Sequence, residues 1–420
     1  MSRVQSSTSR VDIATFASHG DSARAVIREL LVHGALPRAE LARRLQLSPA
    51  ALTRVTRELL ESATIRESEV ASAGTGGRPG TPLEVSVEHH QMVGVKVTGD
   101  GVYGVRTDAL GHVQQSAQRQ LASTDVDDVT HTIVDLVNEV AADAPVEALG
   151  VGLAGTMSRF DDRVRHNLYL GWDDVPLSEA LEHACGLPSV ISNDVRALTA
   201  GVHWSGHARG QNDVAVVTTG VGVGIGLVIE GRTIAGTRGR AGMIGHQRIS
   251  DSGPICSEGH RGCADSYLTT AAITRAVAVA HGEPSITLER VCALADDGDA
   301  AARRVLADAG RALGAVVASV VNVLDLPSVI LAGDGLPAVM RARPEIEESL
   351  ALHLDRYAAP PDVRFLVSDF DEWARGAAVV ACQWLLLEPP RWVGSRRTWA
   401  RARGQDRDRG HRRHPVPIEA

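Results

Sequence analysis

Between Gly239 and Asp265 the chain reads GRAGMIGHQRISDSGPICSEGHRGCAD, which gathers imidazole, thiol and carboxylate side chains around glycine turns. His246, Cys256, Glu258 and Cys263 make a donor set suited to one zinc ion, because thiolate, imidazole and carboxylate all match that borderline-soft cation. The two cysteines stand further apart than in a C-x-x-C knuckle, so spacing alone leaves a metal-free loop as the alternative. Glu258 or a water is the expected fourth donor, and such a site would orient the loop that carries His246.

These residues resemble the signature of the ROK family of repressors, open reading frames and sugar kinases, whose pattern reads roughly E-x-G-H, then C-x-C-G-x-x-G-C-x-E. Gly245 and His246 match in register, as do Cys256, Gly259, Gly262 and Cys263. Three positions depart: Met243 stands at the first glutamate, Glu258 at the middle cysteine and Asp265 at the last glutamate. The resemblance implies structural zinc on the histidine and cysteines, and a sugar held by the same histidine and the acidic positions. The departures weaken the sugar site more than the zinc site, because a thioether cannot accept the hydrogen bonds that a carboxylate offers a hydroxyl.

Two further segments fit that resemblance. Asn193 and Asp194, in ISNDVRALTAG, match the family's Asn-Asp motif, which would make Asp194 the base that takes a proton from a sugar hydroxyl. Asn167, in HNLYLGWDDVPL, matches the Asn of N-L-P-G-W, another sugar contact. The plainer role for Asp194 is to cap a helix starting at Val195. On the nucleotide side the family reads D-x-G-G-T where this chain has Lys96, Val97, Thr98, Gly99 and Asp100, an exchange of charge that disfavours phosphate and magnesium. The glycines of Thr218–Gly224 and of Ala332–Gly335 are kept, so those turns can persist without ATP. ATP is therefore not expected as a cofactor and Asp194 is read as a vestigial base. The effector set is Asn167, Asn193, Asp194, His246 and Asp265.

The elements that carry these residues follow from periodicity. Ala23, Val26, Ile27, Leu30 and Leu31 repeat at helical spacing behind Asp21 and Ser22, the N-cap candidates, and Gly34 stops the run. A second short helix starts near Pro37 with Leu41 and Leu45 inward, and a third at Ser48–Pro49 buries Leu52, Val55 and Leu59. Ser48, Ala50, Ala51, Thr53, Arg54 and Arg57 then lie on an outer face fit for a major groove, or on the solvated basic face of a plain bundle. Residues 65–67 and 83–87 alternate as two strands of a wing whose glycine-rich tip offers Arg78 to a minor groove. A winged helix-turn-helix here resembles that of ROK repressors; ROK sugar kinases lack it.

From Gln91 to Leu387 strands at 92–97, 102–107, 149–153, 190–191, 214–218, 224–229, 329–331 and 364–367 alternate with helices at 126–140, 195–204, 266–281, 300–323, 337–355 and 372–387. This α/β pattern resembles the two-lobed actin-like ATPase fold. The expected organisation is a flexible tail over 1–20, a winged helix-turn-helix over 21–88, a ROK domain over 89–388 and an arginine-rich disordered tail over 389–420.

The 420 residues, 44% of them hydrophobic, suit a large globular core. A net charge of -8 excludes a protein coated for nucleic acid but not a local basic face. Five cysteines, with Cys185, Cys292 and Cys382 scattered singly, fit a reducing cytoplasm, and neither a signal peptide nor a membrane span is expected. The function that combines these features is a transcriptional repressor that binds an inverted-repeat DNA operator as a homodimer or higher oligomer and senses a sugar-like effector. The alternatives are an active ATP-dependent sugar kinase and a regulator whose effector site has decayed.

Overall fold

The computed structural model describes residues 14–68, 81–142, 144–157, 163–366 and 369–387. At the front, helix α1 (Asp21–His33) turns Ala23, Val26, Ile27, Leu30 and Leu31 to one buried face. Gly20, not Asp21 or Ser22, occupies its N-cap, so no side chain caps that end. Helix α2 (Arg38–Leu45) buries Leu41. Helix α3 (Pro49–Glu61) starts as expected, with the Ser48 hydroxyl accepting from the Ala51 N–H at 3.2 Å and Leu52, Val55 and Leu59 turned inward. Strand β1 (Ile65–Glu67) pairs antiparallel with β2 (Leu83–Val85), and Leu83 also pairs with Leu36 at the turn before α2. The wing tip with Arg78 and the arginine-rich tail lie outside the described residues.

Of the flexible tail expected over 1–20, the described residues 14–20 are instead ordered. Phe16 is fully buried, its N–H donates to Glu147 Oε2 at 2.8 Å, and its ring stacks on His90 with centroids 4.0 Å apart. A lone aromatic in a polar stretch has no period to announce it, and only its partners in the α/β body account for its order.

The first lobe holds β3 (Gln91–Val97), β4 (Gly101–Asp108), β5 (Val113–Gln120), α4 (Val126–Ala141), β6 (Val146–Leu153), a small meander β7 (Thr156–Met157), β8 (Val164–Asn167) and β9 (Trp172–Val175), then α5 (Leu177–Cys185), β10 (Ser189–Asn193) and α6 (Asp194–Trp204). Its main sheet runs β10-β6-β3-β4-β5, parallel through β10, β6 and β3 and antiparallel beyond. The second lobe holds β11 (Val214–Thr218), β12 (Gly224–Ile229), β13 (Arg232–Thr233), α7 (Asp265–Leu268), α8 (Thr270–His281), α9 (Leu288–Asp296), α10 (Ala300–Leu324), β14 (Ser328–Ala332), α11 (Leu336–Val339), α12 (Arg343–His353) and β15 (Asp362–Phe365), with sheet order β13-β12-β11-β14-β15. Helix α13 (Phe370–Leu387) then returns to the first lobe and packs on β3, β6 and α6.

Two expected helices are broken. The Thr269 hydroxyl accepts from the Ala272 N–H and starts α8 afresh after α7. A 3-10 turn at Met340–Ala342 separates α11 from α12, whose first turn carries Pro344 without an N–H to continue the earlier helix. By length and composition α10 could cross a membrane, against the expectation of no such span, but it is the central core helix of the second lobe, burying Leu306, Leu313, Val316, Val317 and Val321.

The core of the front module is not its own. Phe16, Ile27, Leu31 and Leu59 share one apolar cluster with Met92, Ala109, Val190, Trp204, Val379, Cys382, Leu385 and Leu386 of the α/β body.

Candidate functional site

Strand β3 and helix α6 meet at the cleft, where Lys96 and Asp194 form a buried ion pair with side chains 7% and 11% exposed. Lys96 is the only lysine in the chain. Its ammonium also lies 4.9 Å from the centroid of the Trp373 ring on α13. The second carboxylate oxygen of Asp194 accepts from the Val195 N–H at 2.9 Å, so the base expected to face a sugar hydroxyl has both oxygens engaged. The helix cap is Asn193 rather than Asp194: Asn193 Oδ1 accepts from the Arg196 N–H at 3.2 Å, and its Nδ2 donates to the Gly155 carbonyl at 3.1 Å. Asn167, 3% exposed, donates to the Ala154 carbonyl at 3.0 Å and accepts from the N–H groups of Tyr169 and Leu170 at 3.0 and 2.9 Å. Both asparagines thus hold backbone turns at the cleft wall. Asp100 is exposed and accepts from the Thr98 hydroxyl at 2.7 Å.

From the second lobe the turns 218–224 and 332–335 close against each other, with the Thr219 N–H donating to the Ala332 carbonyl at 3.1 Å and the Gly335 N–H to the Thr219 carbonyl at 2.9 Å. The pKa of Asp334 is raised, by desolvation first and by the Asp194 charge, against the partial opposition of its own N–H, the Lys96 charge and the Gly335 N–H. The Tyr169 hydroxyl donates across the cleft to the Val221 carbonyl at 3.4 Å. Burial raises its pKa, and so do the charges of Asp265, Asp194 and Asp334, which face it from both lobes.

The metal loop assembles beside this cleft. A Cβ on Gly245 would sit 2.8 Å from the Asp265 carboxyl carbon, so only glycine leaves room for that carboxylate beside His246. His246 Nδ1 lies 3.8 Å from Cys256 Sγ, 3.9 Å from Cys263 Sγ and 3.9 Å from Asp265 Oδ2. Ligand atoms of His246, Cys256 and His260 all fall within 4.8 Å of one another. The 3.8–3.9 Å separations come near the roughly 3.3–3.8 Å edges of a tetrahedron with bonds of about 2.0–2.3 Å. Neither Glu258 nor Cys263 is part of that mutual group, although Cys263 Sγ keeps its 3.9 Å approach to His246 Nδ1. The Cys256 N–H donates to the His260 carbonyl at 2.9 Å and residues 255 and 261 pair, so the reversal sets His260 opposite Cys256 and leaves Glu258 exposed at its tip. Sequence reasoning passed over His260; the signal was a histidine four residues from a cysteine across a glycine turn.

At the front, Ala50, Thr53, Arg54 and Arg57 are exposed along α3, with Ala51 half-buried beside them. Among the described residues their only ion pair is Arg57 with Glu61 at 3.8 Å, a weak surface contact that leaves the guanidinium available.

A family model described as "ROK family" matches residues 92–383. The chain belongs to the ROK family. The DNA-binding transcriptional repressor Mlc of Escherichia coli K12 is 27% identical over 330 residues, which span 75% of this chain and 81% of that protein. Among solved structures, a ROK family transcriptional regulator described as a homolog of E. coli MLC protein superposes with a TM-score of 0.73 at 25% identity, covering 87% of this chain and 96% of its own. A ROK family glucokinase from Streptomyces griseus, solved with glucose and AMPPNP, gives a TM-score of 0.62 at 25% identity and covers 70% of this chain and 99% of its own. The whole kinase is used up on the smaller share of this ROK chain.

Proposed function

We propose that this ROK protein is a transcriptional regulator, acting as a repressor, that binds DNA through α3 and the wing and senses a sugar or sugar derivative in the cleft without phosphorylating it. The observation that carries this reading is the pairing of an exposed arginine-bearing recognition face on α3 with a cleft whose expected base, Asp194, is held by Lys96. A carboxylate tied to an internal ammonium cannot take a proton from an alcohol until the pair is broken. The similarity to Mlc and to the ROK regulator structure supports DNA as partner, and a DNA partner goes with the cytoplasm as compartment.

The residues divide the work. Arg54 and Arg57 meet phosphates or guanine edges, Ser48, Ala50, Ala51 and Thr53 shape the contact, and Arg78 serves the minor groove. One such helix buries too little for a specific site, so two copies pair through their α/β domains on an inverted repeat. In the cleft, His246 and Asp265 are the effector residues with atoms to spare; Asp265 Oδ1 is buried without a partner among the described residues. His246, Cys256 and His260, with Cys263 beside His246, are the residues that would hold one zinc ion, which when bound would tether the 255–263 reversal to the His246 loop.

Selection of duplexes by the full chain tests the reading. It should yield an inverted repeat, and Arg54→Ala should weaken binding to that repeat by about 1–3 kcal/mol at fixed salt. Sugars that shift the thermal midpoint should change operator affinity without turnover in a coupled ATP assay. Failure to enrich any repeat, or turnover on the order of 1 per second, overturns it.

A further inference from the structure

A four-residue strap ahead of α1 ties the recognition helix to the α/β body. At one end Phe16 grips the body through the Glu147 carboxylate and the His90 ring. At the other end His19 sets Nε2 2.9 Å from the hydroxyl of Thr64, just past α3, and Nδ1 3.8 Å from Glu58 in the last turn of α3. The His19 carbonyl accepts from Arg24 of α1 at 2.9 Å. Glu147 is placed for this junction by a break in the sheet. Strand β3 pairs Gln91 with Val146 and Met92 with Ala148, so Glu147 is the extra residue of a bulge, and a bulge re-aims the side chain it carries. That side chain is 5% exposed; one oxygen meets His90 Nδ1 and the other takes the Phe16 N–H. His90 is fully buried and its Nε2 has no partner among the described residues, so Glu147 is what orients the ring on which Phe16 stacks. Burying a carboxylate costs more than burying an apolar side chain of the same volume, so stability alone does not account for it.

We propose that Glu147 is a positioning residue for DNA binding, which through Phe16 and His19 fixes the angle at which α3 stands on the α/β body. This rests on the reading of the chain as a DNA-binding dimer. The apolar cluster beneath the front module resists separation, but apolar attraction is non-directional and tolerates tilting and sliding. Hydrogen bonds weaken steeply when misaligned, so the strap sets what the cluster leaves free. Arg209 Nη2, which donates to the Leu31 carbonyl at 3.3 Å, adds a second directional tie near the end of α1. In a two-fold dimer the angle of each front module sets the separation of the two recognition helices, and with it the spacer between half-sites. One base pair moves a half-site by about 3.4 Å along the duplex and by about a tenth of a turn around it, a step that strapped modules resist and freed modules follow.

The test is binding of the full chain to the inverted repeat it selects, rebuilt with spacers shortened and lengthened by one and two base pairs, for the parent, Glu147→Ala, Glu147→Gln and His19→Ala. The parent should favour one spacer over its neighbours by about tenfold or more, the scale of a single misplaced base pair. Glu147→Ala loses both acceptors and should keep the half-site sequence while losing most of that preference. Glu147→Gln keeps an oxygen for the Phe16 N–H and should retain more of it. His19→Ala cuts the strap at α3 and should act as Glu147→Ala does, and the double variant should lose no more than either, since both sever one connection. If Glu147→Ala does not fold, His19→Ala decides. Folded variants that keep the parent's spacer preference, or that lose affinity equally at every spacer, overturn the proposal. A parent that enriches no inverted repeat overturns instead the DNA-binding reading, and this proposal with it.

Discussion

At the scale of single residues, the pair Lys96–Asp194 shows how one exchange of charge redefines a site. Removing either partner alone leaves the other buried without its counter-charge, whereas removing both leaves an ordinary apolar contact. Asp194→Ala should therefore cost about 3–5 kcal/mol in denaturant unfolding, and Lys96→Met with Asp194→Leu much less. Equal losses in the single and double variants would show that the pair has no such role. His19 supplies a second, pH-dependent case. It is buried, its Nε2 is 2.9 Å from the Thr64 hydroxyl, and burial holds its pKa below 6.5. Glu58 and Glu147 oppose that shift and His90 reinforces it. Because the unfolded chain binds the proton more readily, this contribution is complete above about pH 6.5 and is lost as the pH falls below it. The urea midpoint should drop between pH 7.5 and 5.5, and His19→Gln should reduce the drop; an unchanged slope in that variant removes His19 as the cause.

At the scale of elements, the reversal 255–261 decides which side chains can share an ion. His260→Ala should lower zinc content measured on chelator-washed protein, while Glu258→Ala should leave it near the parent value; the reverse order would restore Glu258 as ligand. This is also where the sequence was hardest to read. The loop's residue types announced a metal, but the choice between Glu258 and His260 depends on a backbone reversal that composition does not encode. The helices α1, α3, α4 and α10 and the buried strands were legible because apolar residues repeat at helical spacing or run continuously. Strand β5, VQQSAQRQ, was not, since it is an exposed polar edge that exists only by pairing with β4. The breaks after α7 and α11 hid inside apolar patterns that continue through them. In the cleft, Asn167, Asn193 and Asp194 were found by motif, yet their hydrogen bonds belong to the walls, which only three-dimensional neighbours reveal.

At the scale of the whole molecule, α13 joins what the sequence divides. Its first turn places Trp373 against Lys96 in the cleft, and its last turns place Leu385 and Leu386 in the apolar cluster that includes Ile27, Leu31 and Leu59 of the front module. Leu385 is 1% exposed, so Leu385→Ala should cost about 2–5 kcal/mol. Because the cluster is shared, near-ultraviolet and far-ultraviolet signals should fall together in one transition; an early partial transition in that variant would mean that the front module melts alone. The shared cluster also bears on descent. A lineage that shed the first 86 residues would turn the face of α13 that meets α1 out to water, an apolar scar inviting aggregation. Headless kin of this chain should therefore carry polar side chains on that face, so that the loss of a DNA-binding module leaves its trace in a helix three hundred residues away.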